Sequence, residues 1–270
     1  MRIWVADGVE GLMLKTGGEC RRIGPPGGAL CAVGDRVYCA GEKRCVCVGK
    51  NTCQTLFDFA LPPGVCALAA AGGSLCALSA DADSVTAFSP DTGEILFCAP
   101  AGSYPRSLRS DPRGRCLAAA CGAAGEILVL DGELRCLARC RVPGVAVDVC
   151  FLPRGLAALC AVEDGELSAS LLRISVRGVV ETLCVWPGVP SALCPLPDGG
   201  CLAGSYGEIL RLRPDGRLAG RLPCPCPIKI KGTPGGPLIC DPWQGRVLRP
   251  DGQTAYRGPD PEDALAEGPL

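Results

Sequence analysis

Three kinds of residue in this chain could do chemistry. Thiols come first: "YCAGEKRCVCVGKNTC" (38–53) carries Cys39, Cys45, Cys47 and Cys53, and the whole chain has 21 cysteines. Thiols can ligate a metal, pair as disulfides or act as nucleophiles. Carboxylates come second: "DAD" (81–83) and "ED" (163–164) offer the paired acids that Ca²⁺ binding or acid–base work needs. The third kind is the cation pair Lys229 and Lys231 of "IKIK" (228–231), of which Lys229 could stabilise an anion.

What is missing restricts these options. The chain has no histidine, and Asn51 is its only asparagine. It has no CxxC pair, the usual knuckle of a structural zinc site; "CVC" (45–47) and "CPC" (224–226) are the nearest approaches. GxGxxG, P-loop, GxSxG and EF-hand patterns are also absent. The sequence therefore gives no metal site, no cofactor and no catalytic residue. The odd number of cysteines argues against a complete internal set of disulfides. "MRIWVADGVEG" at the start lacks the basic-then-apolar run of a secretory signal, so the thiols are expected to stay reduced in the cytoplasm. A net charge of −1 gives no signature for nucleic acid, and no apolar run is long enough to span a membrane.

The elements that must carry these residues emerge from an internal repeat with a period of roughly 40 residues. "GGSLCALSADADSVTAFSPDTGEILFCAPAGSYP" (72–105) aligns with "RGRCLAAACGAAGEILVLDGELRCLARCRVPG" (113–144). Both align with "DGGCLAGSYGEILRLRPDGRLAGRLPCP" (198–225), "GGPLICDPWQGRVLRPDGQTAYRGP" (235–259) and the opening "RIWVADGVEGLMLKTGGECRRIGPP" (2–26). Each unit alternates short apolar runs with turns such as "RPDG" and "LDG", in which Gly accepts the positive φ of a hairpin. A further run ("VCALAA", "VDVCFL", "SALCPL") precedes each unit. Four antiparallel strands per repeat, with no helical period, describe an all-β, seven-bladed β-propeller. The segments are 1–26, 27–65, 66–105, 106–145, 146–190, 191–227 and 228–259. The first shows only three strands, and how the ring closes stays open. Residues 1–259 form the propeller domain, and the acidic, Pro-flanked "PDPEDALAEGPL" (259–270) reads as a loose tail.

In this frame the thiols are architecture. Cys39, Cys76, Cys116, Cys160, Cys201 and Cys240 recur on second strands at separations of 37, 40, 44, 41 and 39, which suggests one equivalent position per blade. Cys45 lies on a third strand, and Cys31, Cys66, Cys150 and Cys194 on first strands. Blades pack face to face, and a reduced cysteine is a small hydrophobe suited to such tight spaces.

Function, by contrast, belongs to loops. Strand alternation sends the second-to-third-strand loops and the inter-blade loops to one face. The first set holds Asp7, Glu42, Lys43, Asp81, Asp83, Glu163, Asp164, Tyr206, Asp241 and Trp243. The second supplies Tyr104, Arg106, Trp186 and Lys229. The candidate ligand-binding residues are Asp81, Asp83, Tyr104, Arg106, Glu163, Asp164, Trp186, Tyr206, Lys229, Asp241 and Trp243. For "IKIK" two placements stand: an innermost strand whose lysines reach the channel or pair with carboxylates such as Asp241, or an end strand whose lysines meet water.

The run "AGSYPRSLRSDPRGRCLAAACGAAGEILVLDGE" (101–133) resembles the YVTN-type β-propeller repeat, with Tyr104, Pro105, Asp111, Gly114 and Leu130-Asp131 in matching places. "RVYCAG" (36–41) and "VTAFSPDTGEIL" (85–96) match it elsewhere. The resemblance implies a propeller related to 6-phosphogluconolactonase-like lactonases, non-enzymatic binding propellers and surface proteins. The lactonase-like enzymes are associated with polar catalytic groups that include His, which this chain lacks. A related gluconolactonase/regucalcin-type metal site of carboxylate, Asn and Asp does not transfer with Asn51 alone in a turn. The resulting expectation is a bacterial, monomeric binding or scaffold module that takes a protein or small ligand over the channel mouth. The alternative is a lactone or sugar-acid hydrolase. It would use a base among Asp81, Asp83, Glu163 and Asp164, with Arg106 or Lys229 stabilising the anion.

Overall fold

The apolar runs form strands because Gly-containing turns break the chain between them at the places the sequence marks. In the two "RPDG" turns Asp215 and Asp251 accept the N–H two residues on, from Arg217 and Gln253, at 3.0 and 2.9 Å. Gly216 and Gly252 close these turns at φ of 83° and 84°, a conformation that a side chain would strain.

The computed structural model describes residues 2–267. Its strands assort into seven four-stranded antiparallel sheets, the blades of a β-propeller. From the centre outward, blade 2 is Ala29–Val33, Arg36–Ala40, Arg44–Gly49 and Thr55–Ala60. Blade 3 is Val65–Ala71, Ser74–Ser79, Ser84–Phe88 and Ile95–Pro100, and blade 4 is Pro105–Ser110, Cys116–Cys121, Glu126–Asp131 and Cys136–Arg141. Blade 5, the longest, is Val145–Leu152, Gly155–Asp164, Glu166–Ile174 and Val180–Pro187. Blade 6 is Pro190–Pro195, Cys201–Ser205, Gly207–Leu212 and Leu218–Cys224. Blade 7 is Lys229–Lys231, Leu238–Asp241, Arg246–Leu248 and Thr254–Arg257.

Blade 1 corrects the sequence reading. It has Arg2–Asp7, Gly11–Thr16 and Glu19–Gly24 from the start of the chain, and its innermost strand is Pro261–Glu267 from the end. Arg2 pairs with Glu267, Trp4 with Leu265 and Asp7 with Pro261. The first blade is thus four-stranded, and the acidic "PEDALAE" is a strand, not a loose tail; residues 268–270 lie outside the described residues. The acids are accommodated because each has a partner or a wet side. Asp263 pairs with Lys231, and Glu267 accepts the Trp4 indole N–H at 2.7 Å. Ala264 and Ala266 turn inward and are buried.

The core is divided among the blade interfaces. Seven buried clusters each draw on two neighbouring blades, and alternation along a strand shares its side chains between them. On the second strand of blade 4, Leu117, Ala119 and Cys121 face blade 3, while Ala118 and Ala120 face blade 5. With so few aromatics, Ala, Cys and Leu set the close spacing.

Thirteen of the 21 free cysteines are buried, five are half-buried, and Cys20, Cys98 and Cys136 are exposed. The six second-strand cysteines do lie on second strands, but not at one equivalent position. Cys39 and Cys160 sit opposite the second residue of their inner strands, Cys201 opposite the last, and Cys76 deep within its strand. Burial pushes the Cys39, Cys76 and Cys160 thiols up to about 12 and the Cys31 thiol up to about 11, so they stay protonated and unreactive at neutral pH. A thiol reagent should therefore label the three exposed cysteines quickly, the half-buried five slowly, and the remaining thirteen only after denaturation. Fast labelling of more than eight sites in the native protein would contradict this packing.

Candidate functional site

The loop face is built from the ends of the second strands and the bulged starts of the inner strands. In blades 1, 3, 4, 5 and 6 the inner strand slips register by one residue just after it begins. The extra residue leaves the ladder there. Arg106 occupies this place in blade 4, Cys66 in blade 3 and Glu262 in blade 1.

Several of the residues proposed from sequence come together on this face. Asp83, at φ 46°, accepts the Tyr104 N–H at 2.7 Å, and Tyr104 stands at φ 53° with 59% of its surface exposed. The blade 3 loop is thereby fastened to the linker entering blade 4. Asp81 lies over Gly64, where a Cβ would meet its carboxylate. Tyr206, the single residue between two strands of blade 6, lies beside Trp243 on the short 3₁₀ turn Pro242–Gln244 of blade 7. Their ring centroids are 6.1 Å apart at 42°, and they are 49% and 73% exposed. An aromatic pair of this spacing held in water by two blades is a platform for an apolar or planar group.

Other expected residues fall elsewhere. Trp186 is on the outermost strand of blade 5 opposite Ala169, packed against the blade 5–6 core, and its indole N–H is buried without a partner. Asp241 is fully buried at the end of its strand, where Arg246 Nε approaches at 3.3 Å and its own Oδ1 has no hydrogen-bond partner. Asp7 is likewise buried, accepting the Val9 and Glu10 N–H groups and the Tyr256 hydroxyl. Glu163 and Asp164 are exposed but belong to the strand Gly155–Asp164, whose hairpin with Glu166–Ile174 extends past the loops of the other blades. Among the described residues no three His, Cys, Asp or Glu side chains gather as metal ligands would.

The channel holds a network that sequence reading missed. Arg109 on the inner strand of blade 4 pairs with Asp148 on that of blade 5 at 2.6 Å, and also donates to the carbonyls of Leu193 in blade 6 and Ile230 in blade 7. Asp148 accepts the Leu193 N–H at 2.8 Å. On the other side Lys231 of blade 7 pairs with Asp263 of blade 1 at 2.8 Å and donates to the Leu30 carbonyl of blade 2, whose N–H returns to Asp263 at 2.9 Å. Two ion pairs thus tie six inner strands together around the channel. "IKIK" is accordingly an innermost strand, and its acidic partner is Asp263, not Asp241. Burial pushes both aspartates up, but Arg109 on one and Lys231 with Lys229 on the other outweigh it and hold each carboxyl below its usual range. At the mouth burial, reinforced by Asp260, pushes the Glu262 carboxyl up, against the opposing pull of Lys229.

With this geometry in hand, comparison with known proteins gives a fold and no more. No family model and no curated protein sequence matches the chain. Among solved structures, a candidate 6-phosphogluconolactonase from Bacteroides uniformis superposes with a TM-score of 0.73 at 13% identity, over 97% of this chain and 98% of that one. A second, from Bacteroides fragilis, gives 0.72 at 14% identity, covering 97% and 96%. BBS1N, solved in complex with ARL6DN, gives 0.67 at 12% identity over 89% and 83%. The lactonase-like propeller expected from the YVTN-type resemblance is thus matched at the level of fold.

Proposed function

We propose that this protein is a non-catalytic binding propeller that takes a protein partner on its loop face, with the Tyr206–Trp243 pair as the anchor. The observation that carries this reading is the pair itself: two neighbouring aromatic rings, largely exposed, on loops of adjacent blades. Trp and Tyr are the side chains that most often dominate protein–protein binding energy. The channel beneath is lined by the paired Arg109, Asp148, Lys231 and Asp263, whose charges are already satisfied, which favours a partner resting on the rim over a small molecule sunk within it. The complex of BBS1N with ARL6DN is an example of a neighbour in fold that was solved with a protein bound. The reading keeps the protein in the reducing cytoplasm, on its twenty-one free thiols.

A second reading, hydrolysis of a lactone or sugar acid, has one observation in its favour. Burial raises the Glu262 carboxyl at the mouth above its ordinary value, with Lys229 nearby to balance an anion. An assay on glucono-δ-lactone and 6-phosphogluconolactone separates the two. The binding reading expects the rate of the buffer alone, unchanged in Glu262→Gln. Turnover well above that rate and lost in Glu262→Gln would make the chain a hydrolase.

A further inference from the structure

The outermost strand of each blade leaves one row of peptide groups unpaired, and natural proteins protect such edges with charge. Six of the seven edges here follow that rule. Glu19, Arg21 and Arg22 lie on blade 1, Asp58 on blade 2, Arg139 and Arg141 on blade 4, Glu181 on blade 5, Arg221 on blade 6 and Arg257 on blade 7. The edge of blade 3, Ile95–Pro100, reads "ILFCAP" and carries no charge. Its side chains are nonetheless in water: Ile95 is 66% exposed, Leu96 45% and Phe97 42%, and Cys98 is exposed as well.

We infer that this strand pairs with its own copy, joining two propellers edge to edge across a two-fold axis. Three features select a second copy as the occupant. An antiparallel self-pairing brings like charges into one ladder at the single-sign edges of blades 2, 4, 5, 6 and 7, and brings no charge at all into the ladder here. The register is also set. Ala101 donates inward to the Asp83 carbonyl at 2.8 Å, and Ala99 and Phe97 pair inward with Val85 and Ala87. By alternation Cys98 turns its N–H and C=O outward, as the centre of a two-fold ladder requires. A pairing centred there puts Cys98 opposite Cys98 and Phe97 opposite Ala99, with Leu96, the bulge residue of this strand, and Pro100 flanking that stretch. Finally, the proline, which has no N–H to donate, then falls at the end of the ladder where its cost is least. Opposed residues of a hydrogen-bonded pair stand with Cα atoms roughly 5.5 Å apart, within reach of a disulfide.

Sedimentation of the full chain at rising micromolar concentration tests this, with circular dichroism to confirm folding. The wild type should reach twice the monomer mass, and Phe97→Lys and Leu96→Lys should each remain at monomer mass with an unchanged spectrum. Copper–phenanthroline with dioxygen, which oxidises two thiols to one disulfide, should cross-link the wild-type dimer through Cys98 and fail in Cys98→Ser. That arm decides alone if a lysine variant does not fold. A wild type that stays monomeric would overturn the proposal and leave the edge to a strand from another protein. A dimer that persists in both lysine variants, or a cross-link undiminished in Cys98→Ser, would overturn it by pointing to a different surface.

Discussion

Removing residues 260–270 should leave a chain that does not fold. The deletion takes away Pro261–Glu267, the innermost strand of blade 1, which closes the ring by pairing with Arg2–Asp7. Three losses combine. The edge of Arg2–Asp7 is laid open, and with it the ladder that paired six of its residues. The buried methyls of Ala264 and Ala266 leave the interface with blade 7. Above all, Lys231 loses Asp263 and stays largely buried, 17% exposed, without its counter-charge. Breaking a buried pair from one side costs about 3–5 kcal/mol, against a total stability of about 5–15 kcal/mol for a typical domain. Asp263→Ala alone should therefore destabilise by about 3–5 kcal/mol, and the deletion by more, with loss of the cooperative transition. A truncated chain that melts at the midpoint of the full chain would show that the ring does not depend on its last strand.

The second large effect is expected on the opposite wall of the channel. Asp148→Ala strands Arg109, which the structure holds against three blades, and should cost about 3–5 kcal/mol in denaturant unfolding. Replacing both partners, as Arg109→Met with Asp148→Leu, should recover most of that loss, because two apolar side chains need no counter-charge. The pH dependence carries the matching sign. Asp148 and Asp263 are held below their ordinary range, so their contribution is complete above the unfolded carboxyl value of about 3.9. It is lost as pH falls through the folded values below that. The share of stability due to these two aspartates should thus be level from neutrality to about pH 4 and be lost beneath it, with a shallower loss in the double variant. A change under about 1 kcal/mol in Asp148→Ala would mean that the network is solvated and idle.

How much of this was legible in the sequence depends on the distance over which each feature is defined. Blade number, strand order and most blade boundaries came from local signals: Gly turns, apolar runs and a repeat visible within the chain. Closure was not local. "PEDALAE" looks like an acidic tail because the groups that pair with its acids, Lys231 and the hydrogen-bonding Trp4 indole, come from elsewhere in the chain, the latter from its far end. The channel network left a fainter trace. A single acid within "VAVDVCFL" has no place on a buried strand unless a cation meets it, and that contradiction was readable, although its partner Arg109 was not. Among the loop residues, exposure could not be separated from burial by position alone. Asp241 and Trp243 are two residues apart, yet one is sealed beneath its strand end and the other is among the most exposed large side chains of the protein. The aromatic pair needed the ring itself, because Tyr206 and Trp243 meet only when blade 7 folds beside blade 6.

The central claim is that the loop face, and not the opposite face or the channel, receives a partner. Photo-cross-linking addresses it most directly, with p-benzoylphenylalanine at Tyr206 and, as a control, at exposed Val176 on the opposite face, in cells that make the protein naturally. The account predicts one discrete adduct from position 206, absent from position 176 and lost when Trp243→Ala is added. Equal adducts from both faces, or an adduct at position 206 that is indifferent to Trp243, would contradict it.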